Sequence, residues 1–332
     1  MKLRINNFAR ILCIVCFSSM FISCDNEIDL VADYKNIPIT YGLLDRSDTA
    51  QYIRVEKAFV DPAKSALLLA QEPDSLYYSD AVVQLKNLAT NELYTLERVD
   101  GSLEGYPRDT GVFATHPNWM YKIRTDEMRM NPGDGFEIII DRGDTYDQIT
   151  ARTKIVGDVL LVRPRAGSVI DFSGFGDFSM VWTEDPSTSF YDVKLDIFIS
   201  EWNPSTTDPK EVIVIPWVLG RSITEARLNV SKREFYALLA SRLEENPSLE
   251  RSLDSFQLTI NSGGEELYDF VRVNLANTGI TASQEIPRVT NMSEGFGVFS
   301  SSNSISESDF IISAATYDSL RIGQLTQDLN FK

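Results

Sequence analysis

From Ile37 to about Asp158, apolar positions recur at every second residue in short runs, separated by turn-forming residues. In Gln51-Tyr52-Ile53-Arg54-Val55-Glu56, Ile53 and Val55 fall on one side of an extended chain and Arg54 and Glu56 on the other, which predicts a strand with one buried face. Ala81–Leu88 and Leu93–Val99 flank Ala89-Thr90-Asn91-Glu92 and predict a hairpin. Further strands are predicted over Met120–Arg124, Phe136–Ile140 and Gln148–Ile155. Between them, Asn131-Pro132-Gly133-Asp134-Gly135 is a turn sequence that no helix would survive. Two sheets packed face to face, an immunoglobulin-like or transthyretin-like sandwich, bury such alternation most simply.

The stretch Asp158–Ala166, with Pro164, reads as a link to a second unit. Beyond it, Phe178–Trp182 predicts a strand, and Phe190–Ser200 is the cleanest alternation in the chain, with Val193, Leu195, Ile197 and Ile199 opposite Asp192, Lys194 and Asp196. Val212–Val218 is apolar on both sides except at Pro216, which predicts an interior or bulged strand. Ser231 and Glu234 have capping-box spacing ahead of Phe235, Leu238, Leu239 and Leu243 and predict a helix near 231–245. Phe256–Ile260 predicts a strand. After Gly263-Gly264, the spacing of Leu267, Phe270, Val271 and Leu275 predicts a second amphipathic helix over 265–277, ending near Gly279. The expected fold is therefore mainly β, with two β-sandwich domains at 37–158 and 159–332, the second decorated by two α-helices. No repeat of fixed period is evident, and only Ser300–Ser308 is compositionally biased.

Length and charge narrow the function. The chain has 332 residues, 43% of them hydrophobic and 24% charged, the composition of a globular protein long enough for about two domains. Lys plus Arg number 31 against 48 Asp plus Glu, a formal net charge of -17. Binding to nucleic acid or to an anionic membrane surface is driven by basic side chains neutralising phosphate, so both are poor expectations here.

The amino terminus carries the clearest signal. Lys2, Arg4 and Arg10 precede the apolar run Ile11–Ile22, too short to span about 30 Å of hydrocarbon but the right length for the core of a secretory signal. The run ends in Phe21-Ile22-Ser23-Cys24, which resembles a bacterial lipobox. That resemblance implies cleavage between Ser23 and Cys24 and acylation of Cys24, so that residues 1–23 are a lipoprotein signal peptide. The other two cysteines, Cys13 and Cys16, lie within the discarded part. Disulfides, thiolate metal sites and cysteine catalysis are then not expected, and acyl chains would hold the protein on a membrane without spanning it. Asp25, Glu27 and Asp29 follow at once. They resemble the surface-export signal of Bacteroidota lipoproteins; the alternative is an ordinary solvated tether over 24–36.

Catalytic chemistry finds few residues to work with. His116, the only histidine, precedes Pro117 in a loop, and no Gly-x-Ser-x-Gly element supplies a nucleophile. Zinc needs several Cys or His ligands. Gly174-Phe175-Gly176 lacks the lysine of a phosphate loop. The acids of Asp141-Arg142-Gly143-Asp144-Thr145-Tyr146-Asp147 read as a solvated hairpin tip rather than a calcium loop, because Arg142 intrudes. No cofactor and no metal are expected. Carboxylate pairs for hydrolysis are open, since so many acids place some pair at a workable distance in any fold. Tyr77 and Tyr78, in the irregular segment 61–79, and Trp202, after a strand end, are candidate ligand or partner contacts.

The lipobox, the strand-rich first half, the helix at 265–277, Ile286-Pro287 and then Thr290-Asn291-Met292-Ser293-Glu294-Gly295-Phe296-Gly297-Val298-Phe299 together resemble the Bacteroidota lipoproteins grouped as domain of unknown function 4249. Gly111-Val112-Phe113 ahead of the strand at Tyr121 fits as well, while Met292 and Val298 stand where the family has isoleucine. The resemblance implies an outer-membrane lipoprotein, facing the periplasm or the cell surface, that acts without catalysis beside a TonB-dependent transporter or another envelope protein. A structural or adhesive module and a carboxylate-dependent hydrolase are the alternatives. Within the motif, Asn291, Gly295, Phe296, Gly297 and Phe299 are read as structural: the glycines allow backbone to approach backbone, and the rings fill the space beneath.

Overall fold

The structure, a computed structural model, describes residues 37–58, 64–276 and 289–332. It is mainly β and of the sandwich class. The first half contributes β1 (Pro38–Asp45), β2 (Ala50–Lys57), β3 (Val82–Asn87), β4 (Leu93–Thr95), β5 (Glu97–Asp100), β6 (Trp119–Arg124), β7 (Gly135–Asp141) and β8 (Ile149–Lys154). The second contributes β9 (Leu161–Arg163), β10 (Ser168–Ile170), β11 (Asp177–Trp182), β12 (Phe190–Trp202), β13 (Glu211–Ile223), β14 (Arg227–Ser231), β15 (Glu250–Gly263), β16 (Phe296–Glu307) and β17 (Phe310–Ile312).

One eight-stranded sheet, in the order β13-β12-β15-β16-β1-β2-β6-β5, runs through both halves. The four-stranded sheet β4-β3-β7-β8 covers its amino-terminal end. Leu44, Ile53 and Val55 meet Val83, Leu85, Phe136, Ile138 and Ile140 between the two layers, as strand alternation requires. The expected hairpin at Ala89–Glu92 forms between β3 and β4, but its second arm divides. After buried Leu96 the chain crosses to the other layer, where β5 pairs with β6. The long sheet belongs to two cores at once, so the boundary expected at 158/159 separates cores and not sheets.

The second core lies between β12, β13 and β15 on one side and the three-stranded sheet β14-β11-β9 on the other. β9 falls within the predicted link, and Val159 is already buried; the link is therefore part of this core. Two short helices, α1 (Ala66–Ala70) and α2 (Pro73–Leu76), occupy part of the stretch read as irregular. α3 (Lys232–Arg242), α4 (Glu265–Ala276) and α5 (Ala314–Ile322) follow. α3 does more than decorate: Phe235 and Leu239 are fully buried. The capping box does not form, since Ser231 makes no side-chain cap; the Lys232 amide donates instead to the Gly176 carbonyl. α5, which the sequence reading did not foresee, closes the core through Leu320. Phe172 stacks on Phe235 with centroids 4.4 Å apart and contacts Phe178, Trp217 and Phe256.

Replacing Phe172 by alanine removes the ring at the centre of these contacts and should cost about 3–5 kcal/mol. Urea unfolding followed by tryptophan fluorescence would measure it, and a loss well under 1 kcal/mol would refute the central role given to this ring.

Candidate functional site

The outer face of the long sheet changes character toward its β13 edge. On β12, even-numbered residues point away from the core, and Phe198 pairs with Val214, Asp196 with Pro216 and Lys194 with Val218. Val212, Val214 and Val218 are exposed, whereas Ile215 and Trp217 on the opposite face are buried. The prediction that Val212–Val218 is interior is thus corrected: β13 is an edge strand. Pro216 lacks an N–H and is tolerated where only one side of the strand has to pair. Its even position, shared with the three valines, was the available sign that this face looks outward.

Trp202 ends β12 on the same face, half-buried, with the Lys210 ammonium 3.8 Å from its ring centroid. Trp202, Phe198, Val212, Val214, Pro216 and Val218 form one apolar strip along an open sheet edge. A soluble domain normally blunts such an edge, and a contiguous patch of this kind marks an interaction surface.

The other candidate rings do not join it. Tyr77 and Tyr78 are 4% and 6% exposed, so the prediction of exposed contacts fails for both. Tyr77 packs with Leu76, Ala114 and Trp119, and burial pushes its phenol above the ordinary tyrosine range. Tyr78 belongs to the first core. The sequence showed only irregular spacing there, and the fold buries the rings because α2 folds back against β2.

The Asn291–Phe299 motif is a clasp between the two halves. β16 runs parallel to β1, with Ile39 opposite Phe296 and Thr40 opposite Gly297. Gly295 and Gly297 have φ of 85° and 113°, and a Cβ on either would land on the carbonyl oxygen of Pro38 or Thr40. Asn291 donates from Nδ2 to the Phe299 carbonyl at 2.7 Å and to the Arg152 carbonyl at 3.1 Å, and its Oδ1 accepts from the Phe299 amide at 3.0 Å. Phe299 is fully buried and Phe296 half-buried.

Arg142 has no exposed side-chain surface, so the acidic tip is not simply solvated. Its Nη2 donates to Glu294 at 3.1 Å and to the Asp147 carbonyl at 3.0 Å, which ties the tip to the motif. The guanidinium places a positive charge where a calcium ion would have to sit. Among the described residues no group of three or more His, Cys, Asp or Glu could hold a metal. His116 lies exposed in the loop entering β6. Ser23, Cys24, Asp25, Glu27 and Asp29 lie outside the described residues.

Asp171 follows β10 at the edge of a groove in the second half. Burial opposes its charge, but hydrogen bonds from Ser173 and Ser313 and the Lys232 ammonium outweigh this and hold the carboxyl well below the usual carboxylate range. That direction is opposite to what a general acid needs.

No protein-family model matches the chain, and no curated protein matches it. The reading of its function therefore rests on residues and geometry.

Two outcomes follow from this geometry. Gly297→Ala combines a disfavoured φ with collision against Thr40 and should destabilise by about 3–5 kcal/mol, seen as a large fall in thermal midpoint; an unchanged midpoint would contradict the clasp. Asp171, whose folded pKa lies below the ordinary value of 3.8, stabilises the fold above that value and ceases to do so as the pH falls through its folded pKa. Asp171→Asn should accordingly melt lower than the parent at neutral pH, and the gap should close in strong acid.

Proposed function

We propose that this chain is a membrane-anchored lipoprotein that acts without catalysis, as the accessory binding component of an outer-membrane TonB-dependent transporter in nutrient uptake. The observation that carries the reading is the apolar strip of Trp202, Phe198, Val212, Val214, Pro216 and Val218 on an open sheet edge. Rigid strands hold these side chains in one plane, so they offer a preformed surface whose burial would release ordered water at little cost in conformational entropy.

Two features of the sequence support the setting. Phe21-Ile22-Ser23-Cys24 supplies the acyl anchor, and no helix among the described residues is long and apolar enough to cross a membrane. A net charge of -17 disfavours electrostatic adhesion to anionic lipid, which leaves attachment to the tether. The resemblance to the domain of unknown function 4249 lipoproteins supports a transporter as the partner.

Metabolic labelling with a palmitate analogue should mark the parent protein, and Cys24→Ala should lose both the label and the membrane fraction; a labelled variant would refute the anchor. Mild-detergent purification from native membranes should recover the transporter with the chain. Val214→Glu together with Val218→Glu should release it with little change in thermal midpoint, because both side chains are exposed. Recovery of the parent protein alone would count against the partnership.

A further inference from the structure

The layer of the second core opposite the apolar strip contains a groove of about 540 Å³, between β9, β10 and β11, with Lys232 at one side. This volume suits a small oligosaccharide or a comparable ligand. Its wall combines three kinds of group. Arg163, Arg165 and Lys232 are basic, Asp171 and Asp177 acidic, and Val162 and Val169 apolar, with Ser168 and Ser179 beside them. In a chain of net charge -17, three cations against two carboxylates make a local exception. Among the described residues Lys232 pairs with Asp171 at 3.4 Å, while neither arginine has an ion-pair partner. The Arg165 guanidinium donates to the Val162 carbonyl, and its backbone amide to Ser168.

The loop beside the wall carries a ring. Asp171 and Asp177, both in the wall, bracket the loop Phe172-Ser173-Gly174-Phe175-Gly176. Phe172 points into the core, whereas Phe175 is as exposed as in an extended chain, at 105%. The loop is fastened at both ends. Lys232 Nζ donates to the Ser173 carbonyl at 3.0 Å, its backbone amide donates to the Gly176 carbonyl at 3.0 Å, and the Ser173 amide donates to Asp171. Gly174 and Gly176, at φ 73° and 100°, permit the turn. An apolar ring on a tied loop gains nothing from folding and remains available for a ligand.

We propose that this groove, with Phe175 on the adjoining loop, binds an acidic oligosaccharide, a chain of sugars bearing carboxylates. The two unpaired guanidinium groups match carboxylates in bidentate geometry. Asp171 and Asp177 are acceptors for the hydroxyls that each sugar unit carries beside its carboxylate, a donor that a glutamate side chain lacks, which is what separates this ligand from an acidic peptide. Phe175, Val162 and Val169 offer apolar surface to the C–H faces of the rings. The site is independent of the transporter contact, because its residues lie in the other layer.

The test is calorimetric titration of the detergent-solubilised full chain with hexagalacturonate at low ionic strength, where the pairs are least screened. Saturable binding is expected, with neutral galactohexaose at least about tenfold weaker. Arg163→Gln with Arg165→Gln should weaken hexagalacturonate about tenfold or more, and Phe175→Ala about threefold to tenfold, with thermal midpoints unchanged because all three side chains are exposed. Four results would each overturn the proposal: no saturable binding, equal affinity for galactohexaose, equal affinity for a hexaglutamate peptide, or Phe175-dependent binding to phosphatidylglycerol vesicles in place of the sugar. No transporter is present in this titration, so its outcome is separate from that of the co-purification.

Discussion

The parallel pairing of β1 with β16 is the constraint on which the architecture depends. A strand from the start of the described chain lies beside one from near its end, and seven consecutive residue pairs align from Ile39–Phe296 to Asp45–Ser302. The approach is so close at Pro38 and Thr40 that only glycine fits opposite, and Asn291 holds Phe299 by both its amide and its carbonyl. Contacts this distant in sequence close a very long loop, an entropic cost that has to be offset by many cooperative interactions. Once made, the pairing joins two sheets into one, and the two cores can no longer pack independently.

Buried polar groups complete the clasp. Ser300 and Ser301 are fully buried in β16. Ser301 donates to the Lys154 carbonyl and accepts from the Val156 amide, while Ser300 donates to Glu266, which also receives the Thr153 hydroxyl. Each hydroxyl thus satisfies a backbone or side-chain group where the halves meet. At the far end of the second core, buried Arg251 pairs with Glu201 and donates to the Leu329 and Glu244 carbonyls. A guanidinium with several donors can fasten three segments at once, which no apolar side chain does.

This rigid frame presents two surfaces of different chemistry. The outer face near β13 carries exposed valines beside the Lys194–Asp196 pair, whereas the opposite layer carries a groove with both signs of charge. The two surfaces lie on opposite layers of the second core. Neither surface involves the motif at Asn291–Phe299, whose residues are occupied in joining the halves.

The sequence by itself determined the class of the fold, the helices near 231–245 and 265–277, most strand positions and the structural character of Gly295 and Gly297, because apolar periodicity and glycine placement are local properties. It also led to Trp202 as a surface ring. Tertiary structure decided the rest. Beyond the motif residues Phe296–Phe299, β16 was visible only as a serine-rich stretch, since hydrogen bonding rather than apolar packing buries its centre and leaves no hydrophobic pattern to read. Strand order made Val212–Val218 an edge instead of an interior, and the fold of α2 against β2 buried Tyr77 and Tyr78. Arg163, Arg165, Asp177 and Lys232 come together across more than sixty positions of chain. Spacing along a sequence cannot encode that juxtaposition, because it follows from which strands pair and which faces they turn outward.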